Sequence, residues 1–201
     1  MARTMEGLMH SIAADPGFLS RTLNLQAGVE LHARLLLSTD GERLGRFFEG
    51  LSQATRGVYG PHPLNREEGL RLCSEIDYGH TLRFVALDGE EFVAYFILQL
   101  GTRPNDEERY AAHGTPIDPA TSCTLAPSVA DAWQERGLGS ALFPHVCEAA
   151  RNLGFGYMVL MGGVRADNPR AIHFYEKFGF YRVGDFWSND TNNHDMVLEL
   201  R

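Results

Sequence analysis

The feature that most constrains this chain is one abrupt change of hydrophobic period between residues 122 and 154. Residues 122–129 (SCTLAPSV) form a short apolar run of strand character. After a polar link, Leu138, Leu142, Val146, Ala149, Ala150 and Leu153 recur at helical spacing, and Gly154 stops the run. The link carries Gln134, Gly137 and Gly139 in the spacing Q-x-x-G-x-G. Glycine permits a positive φ and removes the side chain that blocks a ligand's approach to the backbone. The first amides of a helix have no internal partner and carry partial positive charge. Strand, glycine-bearing turn and helix start together suit an anion such as a pyrophosphate. A plain tight turn is the simpler account of the same two glycines, and the spacing alone does not decide between them.

The flanking chain supplies the rest of an α/β domain. Residues 29–37 (VELHARLLL) are a strand candidate. Asp40 is placed to cap a helix with apolar positions Leu44, Phe47, Phe48, Leu51 and Val58. Asn65 with Glu68 three residues on resembles a capping box before a short helix through Leu72, Cys73 and Ile76. Residues 82–87 (LRFVAL) and 92–100 (FVAYFILQL) flank Asp88-Gly89, a hairpin signal. Residues 103–120 are polar, hold three of the nine prolines, and are expected to be a long surface loop. Residues 157–161 (YMVLM) suit a strand buried on both faces. Asn168-Pro169 opens a further helix that Gly179 closes. Strands near residues 181–187 and 195–200 end the chain. Residues 1–28 are expected to be an extension of uncertain structure, and residues 29–201 a single domain.

Two segments carry a resemblance. The strand 122–129 followed by Gln134-Glu135-Arg136-Gly137-Leu138-Gly139-Ser140 is similar to motif A of the GNAT N-acetyltransferase superfamily. Some thirty residues on, Asn168-Pro169-Arg170-Ala171-Ile172-His173-Phe174-Tyr175-Glu176-Lys177-Phe178-Gly179-Phe180 resembles its motif B, N-x-x-A-x-x-x-Y-x-x-x-G-F. The close similarity covers residues 122–181. It implies an α/β fold with a mixed, splayed β-sheet flanked by helices, with acetyl-CoA as cosubstrate in the opening of the sheet. By position, Pro127, Ser128 and Val129 run beside the pantetheine arm. The amides of Glu135, Arg136, Gly137, Leu138, Gly139 and Ser140 surround the pyrophosphate, and Asn168 contacts the cofactor. Tyr175 sits near the sulfur as general acid, although an aromatic at helical spacing with Ala171 and Phe178 also reads as core. Two departures stand out. Pro127 lacks an N–H, and Pro144 lies within the expected cofactor helix.

The implied reaction transfers an acetyl group to a primary amine of a small molecule or peptide, by direct attack in a ternary complex. The alternative is a noncatalytic acyl-CoA-binding or regulatory domain. Amine acetylation needs a deprotonated amine, an oxyanion donor and an acid for the leaving thiolate. A backbone amide near Val129 fits the oxyanion role. No base is evident. Gly163 occupies the position where some superfamily members carry a glutamate, and Cys123 and Leu125 occupy positions where others carry histidines. A water relay to a carboxylate or carbonyl is the first expectation, with Glu75, Asp77 and His80 as side-chain candidates. Cys123 has no adjacent histidine and reads as packing rather than nucleophile.

Composition narrows the rest. The 201 residues suit one domain, with 44% apolar and 22% charged residues. A net charge of −8 disfavours nucleic-acid partners and tolerates a cationic acceptor. Three widely spaced cysteines suggest neither a disulfide framework nor a zinc knuckle, and a reducing compartment such as the cytoplasm fits them. The histidines show no metal-binding spacing, so no metal is expected. No run approaches the roughly 18 apolar residues of a membrane span. A Rossmann dinucleotide binder is disfavoured, because a hairpin precedes the cofactor strand and no G-x-G-x-x-G opens the chain. A homodimer stays open.

Overall fold

The computed structural model describes residues 5–188 and 190–200. In chain order the elements are α1 (Met5–Ala14), β1 (Arg21–Asn24), β2 (Glu30–Leu35), α2 (Gly41–Gly50), α3 (Gln53–Gly57), α4 (Arg66–Ser74), β3 (Thr81–Asp88) and β4 (Glu91–Gln99). Then come α5 (Pro104–Ala112), β5 (Ser122–Val129), α6 (Leu138–Asn152), β6 (Tyr157–Leu160), β7 (Val164–Arg165), α7 (Pro169–Lys177), β8 (Tyr181–Ser188) and β9 (Thr191–Glu199). Among the described residues the strands form one sheet in the order β1-β2-β3-β4-β5-β6-β9-β7, with β8 also paired to β9. The β5–β6 pair is parallel and the others are antiparallel. This is the mixed, splayed sheet with flanking helices that the motifs imply.

Strand alternation divides the core between two faces. Leu82, Phe84 and Ala86 of β3 join Ala94, Phe96 and Leu98 of β4 on one face, packed with Leu138, Leu142, Phe143 and Val146 of α6. Val85 and Leu87 join Tyr95 and Ile97 on the other, against Leu44, Phe47 and Phe48 of α2 and Leu72 of α4. Full burial of each such side chain stabilises by about 1.5–3 kcal/mol.

Two local readings of the sequence need correction, and a third stretch gains structure. Residues 103–120 are not all loop, because α5 runs from Pro104 to Ala112. Proline at its first position removes a donor that would have no helical partner there. Tyr110 anchors this helix, fully buried, with its hydroxyl donating to Met196 O at 2.8 Å. The helix expected from Asp40 through Val58 is two helices parted at Leu51 and Ser52, and Val58 is exposed. Asp40 makes no side-chain cap to α2. Its buried carboxylate instead accepts from Leu37 N at 2.9 Å and pairs with Arg34 at 2.6 Å and Arg43 at 3.1 Å. Ahead of residue 29, α1 buries Leu8 and Ile12 in the main core, and β1 pairs with β2. Residues 1–4 of that stretch, and residue 201 at the other end, lie outside the described residues.

Under α5 sits a second cluster of buried charge. Arg109 donates to both oxygens of Asp195, at 3.2 and 2.9 Å, and to Asp106 at 2.7 Å. Asp195 is fully buried. Burial pushes its carboxyl above the usual range, and Arg109 offsets part of that rise. Removing the cation strands two buried carboxylates, and breaking a buried pair from one side costs about 3–5 kcal/mol. Arg109→Leu is therefore expected to lose about 3 kcal/mol in urea unfolding at neutral pH. A loss below about 1 kcal/mol, the range of exposed pairs, would contradict the buried-anchor account.

Candidate active site

The site begins where β5 loses a neighbour. Its first half pairs with β6, ending at Leu125 opposite Leu160, and Met161 N donates to Leu125 O at 2.9 Å. From Ala126 to Val129 it pairs only with β4. Ala130 N donates to Val93 O, which fixes the alternation of the antiparallel ladder. The backbone groups of Ser128 and Ala126 then face β4, while those of Val129 and Pro127 face the gap. Pro127 thus costs no ladder bond, since its missing N–H would have pointed away from β4. Val129 N–H points into the opening, and Val129 O accepts from Gln134 Nε2 at 3.0 Å.

The turn after β5 aims a helix start at the same gap. Gly137, at φ +83°, is the N-cap of α6, and Glu135 also has a positive φ of 60°. The first bond inside α6 is Ala141 N to Gly137 O at 2.9 Å, so the amides of Leu138, Gly139 and Ser140 have no helical acceptor. Gly139 is small for a different reason from Gly137. Its φ is ordinary, but a Cβ there would approach Cε2 of Phe174 on α7 to 3.3 Å. The helix continues through Pro144, which lies on its exposed side.

Side chains hold this turn against α3. Asp131 accepts from Ser52 N at 2.8 Å, Ser52 Oγ at 2.6 Å and Thr55 Oγ1 at 2.7 Å. Gln134 Nε2 reaches Thr55 Oγ1 at 3.1 Å, and its Oε1 accepts from Arg170. Gln134, the first residue of the glycine motif, is therefore a tie between β5, α3 and α7.

The result is a cleft of about 720 Å³. Pro127, Ser128, Val129, Glu135, Arg136, Gly137, Leu138, Gly139, Ser140, Asn168 and Tyr175 all line it. Asn168 caps α7, its Oδ1 accepting from Ala171 N at 3.2 Å. Tyr175 is 7% exposed, wedged beside Phe174 and Phe180 with ring centroids 5.4 and 5.3 Å away. Burial raises its hydroxyl's pKa, which keeps the group protonated at neutral pH while making it a weaker acid.

The cleft also collects cationic side chains whose charge the motifs did not assign. Arg136, Arg170 and Lys177 stand exposed along it, and among the described residues none has a carboxylate partner. Lys177 instead donates to Ser140 Oγ at 3.0 Å, and the Arg136 guanidinium lies 4.5 Å from the Trp133 ring centroid. Tyr59 lines the cleft as well. Its hydroxyl is 3.2 Å from His62 Nε2, which is 3.3 Å from the Tyr95 hydroxyl. His62 Nδ1 lies 2.7 Å from Pro63 O, so the proton sits on Nδ1 and Nε2 accepts. Burial lowers the His62 pKa and favours this neutral form.

The candidate bases of the sequence fare poorly. Glu75, Asp77 and His80 are exposed and none lines the cleft. Glu75 is paired with Arg71. Cys123 is fully buried and burial pushes its thiol well up, the opposite of an activated nucleophile. Among the described residues no group of three or more metal-binding side chains is found, and no helix is long and apolar enough to cross a membrane.

The acetyltransferase (GNAT) family model matches residues 47–180, and the chain belongs to that family. Solved structures agree on the fold. The GNAT domain of S. lividans PAT superposes with a TM-score of 0.72 at 23% identity, covering 92% of this chain and 98% of that one. Mycobacterium smegmatis RimJ in complex with CoA-disulfide gives 0.68 at 16% identity, covering 92% and 89%. Ribosomal-protein-S5-alanine acetyltransferase from Vibrio fischeri gives 0.66 at 11% identity, covering 89% and 96%. No curated protein matches the sequence significantly.

Gly163 shows why the glutamate found in some superfamily members does not stand there. Its φ is +72°, and a Cβ would lie 2.7 Å from the Phe186 ring and 2.8 Å from His194 O. Gly163→Glu is expected to destabilise by at least about 2 kcal/mol, from positive-φ strain plus the clash. Thermal unfolding of the purified variant checks this, and an unchanged midpoint would contradict it.

Proposed function

We propose that this protein transfers an acetyl group from acetyl-CoA to a primary amine of a small molecule or peptide, by direct attack in a ternary complex. The observation that carries the reading is the open β5 edge facing the unpartnered amides of α6, with Arg136, Arg170 and Lys177 alongside. Three cations left without carboxylates in a chain of net charge −8 suit a ligand with several phosphates. A protein with the same fold has been solved in complex with CoA-disulfide, which supports CoA as the kind of ligand.

In this reading the pantetheine arm runs along Pro127 to Val129. The phosphates lie over Glu135 to Ser140, with Asn168 and the three cations beside them. The amine nitrogen attacks the thioester carbonyl, and the oxyanion that forms takes the N–H of Val129. The C–S bond then breaks, and Tyr175 gives its proton to the leaving sulfur. The amine's own proton leaves through water toward the Tyr59–His62 pair, where neutral Nε2 is an acceptor. The acidic chain is not proposed to bind nucleic acid, and a cytoplasmic location fits its free cysteines.

A noncatalytic acyl-CoA-binding domain is the second reading, favoured by the lack of a carboxylate or histidine at Gly163, Cys123 and Leu125. Thiol release from acetyl-CoA, screened across amine classes, separates the two. The acetyltransferase reading predicts release with at least one class. Tyr175→Phe should lower kcat by about 10²-fold, the low end of general-acid effects, with acetyl-CoA affinity nearly unchanged. A fully active Tyr175→Phe protein would remove Tyr175 from the mechanism. No thiol release with any amine, while acetyl-CoA still binds, would favour the noncatalytic domain.

A further inference from the structure

Beside the main cleft lies a smaller depression of about 170 Å³, and its charges are out of balance. Thr81 and Arg83 of β3 stand opposite Gln99 and Ile97 of β4. All four line the depression, together with Arg103 from the start of α5. Glu68, the carboxylate in its lining, is held by Arg71 through both oxygens, at 2.8 and 2.6 Å. Burial favours the neutral form of His62, also in the lining. Arg83 and Arg103, both half-buried, have no carboxylate partner among the described residues. Arg83 donates only to the Tyr95 hydroxyl, at 3.2 Å, and Arg103 only to Gln99 Oε1, at 3.4 Å. Two half-buried guanidiniums in one depression, whose one carboxylate, Glu68, is already held by Arg71, are stabilised by an incoming anion.

A hydrogen-bonded chain of side chains links the depression to the cleft. Tyr95 is shared between Arg83 and His62, and His62 touches Tyr59, which lines the cleft. Burial raises the Tyr59 hydroxyl's pKa most, and the nearby Tyr95 and Tyr175 add to the rise while Arg83 and Arg103 oppose it. Tyr59 thus lies within electrostatic range of both the arginine pair and the proposed general acid.

We infer that Arg83 and Arg103 form a carboxylate subsite for the acceptor, so the amine acetylated here belongs to a free amino acid. The inference rests on the acetyl-transfer reading. The carboxylate lies across the two guanidiniums, with Thr81 and Gln99 as neutral donors beside it. The amino group is thereby directed past Tyr59 toward Tyr175. Guanidinium–carboxylate contacts are directional and charge-assisted, so they fix orientation as well as affinity.

The test compares α-, β- and γ-amino acids with their own carboxamides, which keep the shape and lose the charge. Wild-type kcat/KM for the preferred amino acid should exceed that for its carboxamide by at least about tenfold, as expected for a charged hydrogen-bond pair. In Arg83→Gln, and separately in Arg103→Gln, the ratio should fall toward one while acetyl-CoA affinity holds, which also reports that each variant is folded. Preference for the carboxamides, or a ratio that survives in both variants, would overturn the subsite. Calorimetric titration of the same amino acids, with and without CoA, reads the subsite without turnover. Affinity lost in either variant supports it, and no affinity in the wild type overturns it. Amino-acid binding that needs Arg83, with no thiol release from any amine, would overturn acetyl transfer while keeping the subsite.

Discussion

After Leu125, β5 keeps one hydrogen-bonded neighbour instead of two, and the site depends on that loss. An unpaired strand edge buried in a sheet carries polar groups that need partners. Here one of them, Val129 O, is taken by Gln134, while Val129 N–H faces the opening. The parallel register of β5 with β6 makes the gap, because β6 ends at Leu160 and the chain turns away through Gly162 and Gly163, both at positive φ. With β6 gone from that edge, an extended ligand can take the place of a strand. The helix that follows β5 then delivers its free amides to the same opening. Strand edge and helix start are consecutive in sequence, so a short turn sets their geometry.

That turn is held from outside the motif. Asp131 gathers three hydrogen bonds from Ser52 and Thr55, and Gln134 links Thr55, Val129 and Arg170. Charge follows the same logic of separation. Most arginines of this acidic chain are matched by carboxylates, including the buried Arg34–Asp40 and Arg109–Asp195 pairs. The unmatched cations that line the two concavities fall into two groups. Arg136, Arg170 and Lys177 flank the cleft, and Arg83 and Arg103 flank the depression beside it. In the proposed reading, this division assigns one surface to a phosphate-bearing donor and the other to a carboxylate-bearing acceptor.

Much of this was legible in the sequence where the signal was local. The period change from strand to helix around Gly137 and the Asn168-Pro169 helix start lie where the spacing puts them. All eleven residues assigned by the motifs line one cleft. α5 was masked because its prolines read as breakers, although Pro104 sits where proline starts a helix. β1 has four residues, with Leu23 its one buried side chain, too few for alternation to show. The proposed arginine subsite has no local sequence signature, because its residues come from separate elements. One of them leaves a trace: Arg83 falls in phase with Val85 and Leu87, so the alternation of LRFVAL points a charge at a core-facing side.

The central claim is that the β5 edge and the start of α6 cradle acetyl-CoA, and calorimetric titration with that ligand tests it most directly. The account predicts saturable binding that weakens as salt rises, since cations meet phosphates at an exposed surface. It also predicts binding at least tenfold weaker, about 1.4 kcal/mol, in Gly137→Val, where a branched side chain is forced to φ +83°. No heat of binding in the wild type, or a folded Gly137→Val protein with wild-type affinity, would contradict it.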